Sequence, residues 1–205
     1  MTDARRPELW IVRHGETEWS RLGRHTGRTD LPLTVNGERE ARALVPMLSG
    51  HDFALVLSSP LNRAWETCRL AGFGARAEAN DDLKEWDYGT YEGRTTLEVQ
   101  REFPDWTVWT GEAPGGETAD DVARRADRAI ARAVGAGGDV ALFSHGHLLR
   151  VLAARWLGLS PRSGKYFVLA AGSLSVLGHE RETRVIKTWN LTPALATPPP
   201  APAAA

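Results

Sequence analysis

The apolar run Leu9-Trp10-Ile11-Val12 passes directly into Arg13-His14-Gly15-Glu16-Thr17. Four apolar residues in succession suit a strand buried on both faces, as in parallel sheets covered by helices. Such sheets bind ligands beyond the carboxyl ends of their strands, where this run delivers a charged pair. Arg13 and His14 would face opposite sides if the strand continued through them. The chain must therefore turn at Gly15, which lacks a Cβ and lets another group approach its backbone.

The following segments alternate between strand and helix patterns. Residues 16–33 are rich in Gly, Thr, Arg and Asp and read as a long loop, which in a compact domain usually has a function. Thr34 is an N-cap for a helix with Ala41, Leu44, Val45 and Leu48 on one face, and Pro46 kinks or ends it. Residues 53–57 form a second strand. Ser58-Ser59-Pro60 then reads as an N-cap with proline at the first helical position, placing Arg63 in the first turn of a helix that ends near Ala71. Residues 76–79 form a short strand, 81–94 an irregular stretch, 95–103 a helix, and 104–117 a loop that buries Trp106 and Trp109. Thr118 to Val134 is a helix with Val122, Ala126, Ile130 and Val134 at every fourth place and Gly135 past its end. Residues 139–144 form a strand followed by His145-Gly146-His147, and a helix spans 148–157. Residues 173–178 and 184–189 pair antiparallel at the sheet edge. This alternation defines an α/β class: a three-layer α/β/α sandwich with a mostly parallel central sheet.

One domain is expected over residues 8–191, with a flexible N-terminus at 1–7 and a disordered Pro/Ala-rich tail at 192–205. The 205 residues are 42% hydrophobic and 25% charged, with a formal net charge of -1. There is no overall basic bias, so no nucleic-acid partner is expected, and any anion site must be a local cluster of arginines. The single cysteine, Cys68, excludes an internal disulfide. It lacks an arginine six residues on and reads as a small apolar helix residue. No apolar stretch approaches membrane-spanning length, so no membrane partner and a cytoplasmic location are expected.

Three strand ends carry polar groups of one kind: Arg13 and His14 after the first, Arg63 after the second, and His145 after a later one. In a parallel sheet these ends share one edge. Guanidiniums and imidazoles gathered there form an anion site, since Arg forks match phosphate oxygens in pairs. Helix N-termini at Arg63 and Gly146 add backbone N–H donors. A histidine inside an anion site suggests phosphoryl transfer to nitrogen. The ring must be neutral to attack, and flanking arginines favour that form. Passage through phosphohistidine then needs an acid for the leaving oxygen and a base for water. Asp82, Glu85, Asp87 and Glu92 are all placed for that task, and spacing does not choose among them.

The motifs together resemble the histidine phosphatase superfamily, also called phosphoglycerate mutase-like. They are Arg-His-Gly-Glu-Thr at 13–17, Ser-Ser-Pro-Leu-x-Arg-Ala-x-x-Thr at 58–67, Leu-x-Glu-x-x-x-Gly-x-x-Glu-Gly at 83–93 and Ser-His-Gly at 144–146. The resemblance spans residues 9 to about 190. It implies His14 as the nucleophile, Glu85 as general acid and base, and Arg13, Arg63 and His145 around the phosphoryl group. It further implies that Thr26 and Gly27 line the site and that the Gly146 N–H donates to phosphate. Tyr88 and Trp86, beside Glu85, would exclude water. No cofactor and no metal are expected, and a homodimer is one arrangement common among similar proteins.

Ser20 stands where mutase-like members often carry Asn, and its hydroxyl can still donate to phosphate with shorter reach. The stretches around Ser20 and Thr26 look more like sugar-bisphosphatase and broad acid-phosphatase members, and the segment after Glu85 lacks a mutase-type insertion. The expected function is hydrolysis of a small phosphorylated metabolite, such as a sugar phosphate, a sugar bisphosphate or a phosphoglycerate-like compound. Cofactor-dependent mutase activity and a phosphoanion-binding module without turnover are the alternatives. Arg21, Arg24, Arg28, Lys84, Arg94 and Arg150 are candidates for a second phosphate or carboxylate. His145-x-His147 lacks further metal ligands beside it, and Leu142 stands where a serine-hydrolase elbow needs glycine. His25, His51 and His179 read as surface or loop residues, His147 as a supporting or structural one, and the eight tryptophans as mostly core. Arg124, Arg125, Arg128 and Arg132 read as a solvated helix face.

Overall fold

The computed structural model describes residues 6–194. Residues 1–5 of the expected N-terminal segment and 195–205 of the expected tail lie outside the described residues.

In chain order the elements are β1 (Leu9–Arg13), α1 (Glu18–Arg21), α2 (Val35–Ala43), α3 (Val45–Leu48), β2 (Leu55–Ser58), α4 (Asn62–Leu70), β3 (Ala77–Ala79), α5 (Thr96–Gln100), α6 (Ala119–Val134), β4 (Val140–Ser144), α7 (Gly146–Trp156), β5 (Leu174–Glu180) and β6 (Thr183–Leu191). The six strands form one sheet in the order β3-β2-β4-β1-β5-β6. The first four run parallel, while β5 and β6 pair antiparallel beside β1.

Alternate strand residues face opposite layers. Leu9, Ile11, Leu57, Val140 and Leu142 pack with Val122, Ala126 and Ile130 of α6 and Leu149 and Leu152 of α7. Val12, Val56, Ala141 and Phe143 face the other way, onto Leu44, Leu48, Phe53, Cys68 and Phe73. Each strand of this sheet centre therefore has apolar residues on both faces, which explains its unbroken hydrophobic runs. The result is the expected three-layer sandwich. In register, Arg13 pairs with Ser144 and Ser58 with Phe143, so β1, β2 and β4 end at one level.

Several local expectations are corrected. The long loop after β1 contains α1, closed by a Thr17–Ser20 capping box. The helix after Thr34 is broken at Leu44, because Pro46 lies in the first turn of α3 and cannot donate to the preceding turn. Val45 falls off the apolar face and is 39% exposed, as is Val134, the last residue of α6. Proline 60 is not the first helical residue. Helix α4 begins at Asn62 after Leu61, whose side chain provides no cap. Helix α7 begins two residues earlier than expected, with His145 at its N-cap.

Candidate active site

Strand β1 hands the chain to the site through Gly15. A Cβ at that position would lie 2.3 Å from the Gly37 carbonyl oxygen, so only glycine lets the turn pack against α2. The Gly15 N–H donates to Thr67 Oγ1 at 3.0 Å, and that hydroxyl donates to the Arg63 carbonyl at 2.7 Å. Thr67 thus ties the turn to α4, which explains its place four residues after Arg63 in the sequence motif.

His14 is 4% exposed, and its Nδ1 lies 2.7 Å from the Gly15 carbonyl oxygen. A carbonyl only accepts, so Nδ1 carries the hydrogen and Nε2 keeps its lone pair in the neutral ring. Burial first, and then the charges of Arg63 and Arg13, push its pKa well below the ordinary histidine value. The ring is therefore neutral at pH 7. Nε2 makes no hydrogen bond with any described residue.

Arg13 donates Nη1 to the Leu169 carbonyl at 2.5 Å, while its Nε–H is buried without a partner among the described residues. A Cβ on Gly146 would lie 3.3 Å from that Nε, so the guanidinium packs against the first residue of α7. An unpaired buried donor at this edge fits an anionic oxygen.

Arg63 is fully buried and spends four of its five N–H groups inside the protein. Nε donates to His145 Nδ1 at 3.1 Å, Nη1 to Thr29 O at 3.0 Å, and Nη2 to Thr26 O at 3.0 Å and Gly27 O at 2.9 Å. The loop carrying those carbonyls is clamped by Glu92. Its Oε1 accepts from the N–H groups of Gly27 and Arg28, and its Oε2 from the N–H and hydroxyl of Thr29. His145 must accept from Arg63 on Nδ1, so its Nε2–H donates to Ser59 Oγ at 2.8 Å. Burial and the Arg63 charge lower its pKa well below the usual value. Its ring centroid lies 5.2 Å from that of His14.

Glu85 is 5% exposed and accepts three backbone N–H groups. Trp86 and Leu148 donate to Oε1 at 2.9 Å each, and His147 donates to Oε2 at 3.0 Å. Two of these donors are orphan N–H groups of the first turn of α7. From the sequence, that helix terminus is expected to serve phosphate. In the structure its N–H groups at 147 and 148 hold the carboxylate, leaving the Gly146 N–H, which has no partner among the described residues. The other expected terminus, at α4, gives its Asn62 N–H to Asp30 Oδ1 at 2.8 Å.

A cavity of about 200 Å³ is lined by Arg13, His14, Ser20, Thr26, Glu85, Tyr88 and Gly146, and by Gly23, Arg24, His25, Thr96, His147, Arg150 and Leu169. Seven of the ten expected site residues therefore share one wall. Arg63 and His145 stand one layer behind His14 instead of on the surface, and Gly27 supports Arg63 from the same layer. Ser20 reaches the wall, but its hydroxyl is committed to α1: it accepts from Thr17 N–H at 2.9 Å and donates to Thr17 O at 3.0 Å. Tyr88 Oη and His147 Nδ1 share a hydrogen bond of 2.6 Å, and burial pushes the Tyr88 pKa well above its ordinary value.

His25 is a correction. It is 7% exposed and packs 4.7 Å from Tyr88 and 5.4 Å from Trp106, ring to ring, with burial lowering its pKa to about 4. Its position beside Thr26-Gly27 was the one available signal. His147 is a wall residue backed by Trp109 and Trp86, which do not line the cavity themselves. Trp86, Trp106, Trp109 and Trp156 are buried and the other four tryptophans are half-buried. His51 pairs with Asp139 at 2.8 Å, and His179 lies half-buried on β5. Arg124, Arg128 and Arg132 are exposed as expected, but Arg125 is buried beneath the Glu85 loop. Among the described residues no group of three or more His, Cys, Asp or Glu is arranged to hold a metal ion, and no helix is long and apolar enough to cross a membrane.

Residues 9–192 match the histidine phosphatase superfamily, branch 1. An acid phosphatase of Mycobacterium tuberculosis is 40% identical over 193 residues, covering 92% of this chain and 94% of that protein. Sedoheptulose 1,7-bisphosphatase of Saccharomyces cerevisiae is 37% identical over 186 residues, covering 75% of this chain and 68% of the relative. A solved structure of a Mycobacterium tuberculosis open reading frame superposes with a TM-score of 0.87 at 38% identity, covering 92% and 99% of the two chains. The chain belongs to the histidine phosphatase superfamily.

Proposed function

We propose that the protein is a phosphomonoesterase that hydrolyses a small phosphorylated metabolite through a phosphohistidine on His14, within one domain spanning residues 8–191. The observation that carries this reading is the hydrogen bond from His14 Nδ1 to the Gly15 carbonyl. It selects Nε2 as the nucleophilic nitrogen and fixes the plane of the ring. The names of the relatives, an acid phosphatase and a sugar bisphosphatase, support the same chemistry.

In the first half-reaction Nε2 attacks phosphorus and the bond from phosphorus to the ester oxygen breaks. Arg13, through its unpaired Nε–H, and the Gly146 N–H take the equatorial oxygens. Arg63 acts from behind, by its charge and through His145. Glu85 gives its proton to the leaving oxygen. Oε1 already accepts two N–H groups, so the proton belongs on Oε2. In the second half-reaction water loses a proton to Glu85 and attacks phosphorus, the nitrogen–phosphorus bond breaks, and phosphate leaves.

The test is hydrolysis of p-nitrophenyl phosphate by the purified chain in buffer containing EDTA, with an alkaline denaturing quench that traps the phosphoryl-enzyme. Turnover together with acid-labile label on His14 is expected. Activity only with 2,3-bisphosphoglycerate would assign a mutase instead. Multiple turnover by His14→Ala would overturn the covalent step.

A further inference from the structure

The proposed chemistry leaves the half-buried Glu40 carboxyl unused, although a single peptide unit joins it to the nucleophile. The amide between Gly15 and Glu16 has its carbonyl oxygen 2.7 Å from His14 Nδ1, and its N–H donates to Glu40 Oε2 at 2.8 Å. Imidazole, amide and carboxylate thus form one line of hydrogen bonds. The line depends on how closely α2 approaches the turn after β1. A Cβ on Gly37 would lie 2.1 Å from the Glu16 carbonyl oxygen, so only glycine lets the helix press against that backbone. Glu40 follows three residues later on the same helix face and reaches the Glu16 N–H. Asn36, one turn earlier, donates to the other oxygen, Oε1, at 3.0 Å and leaves Oε2 for the amide. On the far side a Cβ on Gly172 would lie 2.7 Å from the Glu40 Cβ, and the Gly172 N–H donates to the His14 carbonyl at 3.0 Å.

Charge gives this line a task. When Nε2 takes phosphorus, Nδ1 keeps its hydrogen and the ring gains positive charge. Arg63 and Arg13 oppose that charge, as they oppose protonation of the same ring. Glu85 begins the step carrying a proton, so its carboxyl does not balance it. A carboxylate that accepts the amide N–H polarises the amide, and the amide oxygen then accepts more strongly from Nδ1 as the charge on the ring grows. The Glu16 carboxyl lies off this line, since its Oε1 accepts from the Thr34 hydroxyl at 2.7 Å.

We propose that Glu40 is a positioning residue for the nucleophile, acting through the Gly15–Glu16 amide to orient His14 and to stabilise the positive charge its ring gains on taking the phosphoryl group. No proton crosses the amide. The nitrogen–phosphorus bond forms, the bond from phosphorus to the ester oxygen breaks, Glu85 supplies the proton for that oxygen, and Glu40 stays ionised. This rests on the phosphomonoesterase reading above.

The test variant is Glu40→Gln, which removes the charge and keeps an oxygen to accept the Glu16 N–H, while the Asn36 amide turns over to accept from the new NH2 group. In rapid-quench kinetics, phosphoryl-enzyme formation from p-nitrophenyl phosphate should slow by about tenfold, with KM little changed. An alkyl phosphate should slow by the same factor, because the nucleophile is weakened and the proton donor is not. Proton NMR of the free chain reads the line directly: the His14 Hδ1 resonance should move upfield in Glu40→Gln, as its acceptor weakens. A purely structural Glu40 would move neither, so an unchanged formation rate or an unmoved resonance would overturn the proposal. Should the variant fail to fold, titration of the wild-type protein decides. Glu16 from the turn and Arg13 from β1 are the charged groups that bear on the Glu40 carboxyl. The His14 Hδ1 resonance should share the midpoint of the Glu40 carboxyl carbon, and a resonance that ignores that midpoint would sink the relay. If the wild-type protein releases phosphate from no monoester, the phosphomonoesterase reading fails instead, and the resonance in Glu40→Gln judges the relay by itself.

Discussion

Arg125 and Glu117 form a two-pronged ion pair under the loop that carries Glu85, with Nε on one carboxylate oxygen at 2.7 Å and Nη2 on the other at 2.8 Å. The remaining donors of Arg125 reach the carbonyls of Asp82, Lys84 and Glu85. Glu117 in turn accepts the Asp87 N–H on its side chain and the Trp86 indole N–H on its carbonyl. The pair therefore sets the height of the loop and, through it, the position of the Glu85 carboxyl.

Arg125→Lys keeps the charge and loses the fork. A small displacement of a proton donor costs on the order of 100-fold in rate, and most where the leaving group needs the proton. Turnover of an alkyl phosphate should fall by roughly that factor, p-nitrophenyl phosphate much less, with KM little changed for either. Equal slowing of both substrates would reduce the pair to a structural brace.

The strand ends were legible because the chemistry there is written as residue types at apolar-to-polar junctions. Arg13, His14 and His145 stand at the ends of buried runs, and Arg63 lies in the first turn of the helix that follows another. Arg125 was illegible for the opposite reason. Arg124, Arg125, Arg128 and Arg132 look alike in sequence, and only tertiary packing puts the second of them under a loop 40 residues away. The division of labour at α7 was hidden likewise. Its N-terminal N–H groups suit any anion, and whether a carboxylate or a phosphate takes them depends on how close residues 83–93 approach. Helix starts at Asn62 and Gly146 were misplaced because Pro60 and the Gly146 turn support more than one cap register.

Glu92 offers a second test of support from behind. It accepts four hydrogen bonds from residues 27–29, and the carbonyls of Thr26, Gly27 and Thr29 in that loop seat Arg63. Glu92→Gln turns one acceptor oxygen into a donor facing two donors. Stability should drop by about 1–3 kcal/mol per group left unsatisfied. Turnover should drop with it, because Arg63 and then His145 lose their seats. Urea unfolding and kcat measured on one preparation check both, and an unchanged kcat beside lowered stability would detach Arg63 from the chemistry.

Nitrogen-15 NMR of the histidine rings checks the tautomers directly. His14 should show hydrogen on Nδ1 and a bare Nε2, and His145 the reverse, since one faces a carbonyl and the other a guanidinium. Both should stay neutral when pH falls through 6.5, because burial and nearby arginines hold their pKa values well below it. A His14 ring that protonates with a midpoint near 6.5 would remove the proposed nucleophile from its neutral state at mildly acid pH.

Acid sensitivity of the fold follows from the same burial. His25 has a pKa of about 4 in the folded chain, against about 6.5 when unfolded. Between those values the unfolded chain binds a proton that the folded chain refuses. Stability therefore rises with pH across that window, is fully present above about 6.5, and is lost as pH falls toward 4. His14, His145 and His147 are shifted in the same direction, so the total slope should exceed one proton. His25→Asn removes one titrating group from the sum. The slope of unfolding free energy against pH between 4.5 and 6 should fall by up to about 1.4 kcal/mol per pH unit. Urea titrations at several pH values measure it, and parallel curves for the two proteins would mean that His25 is already protonated where it packs between Tyr88 and Trp106.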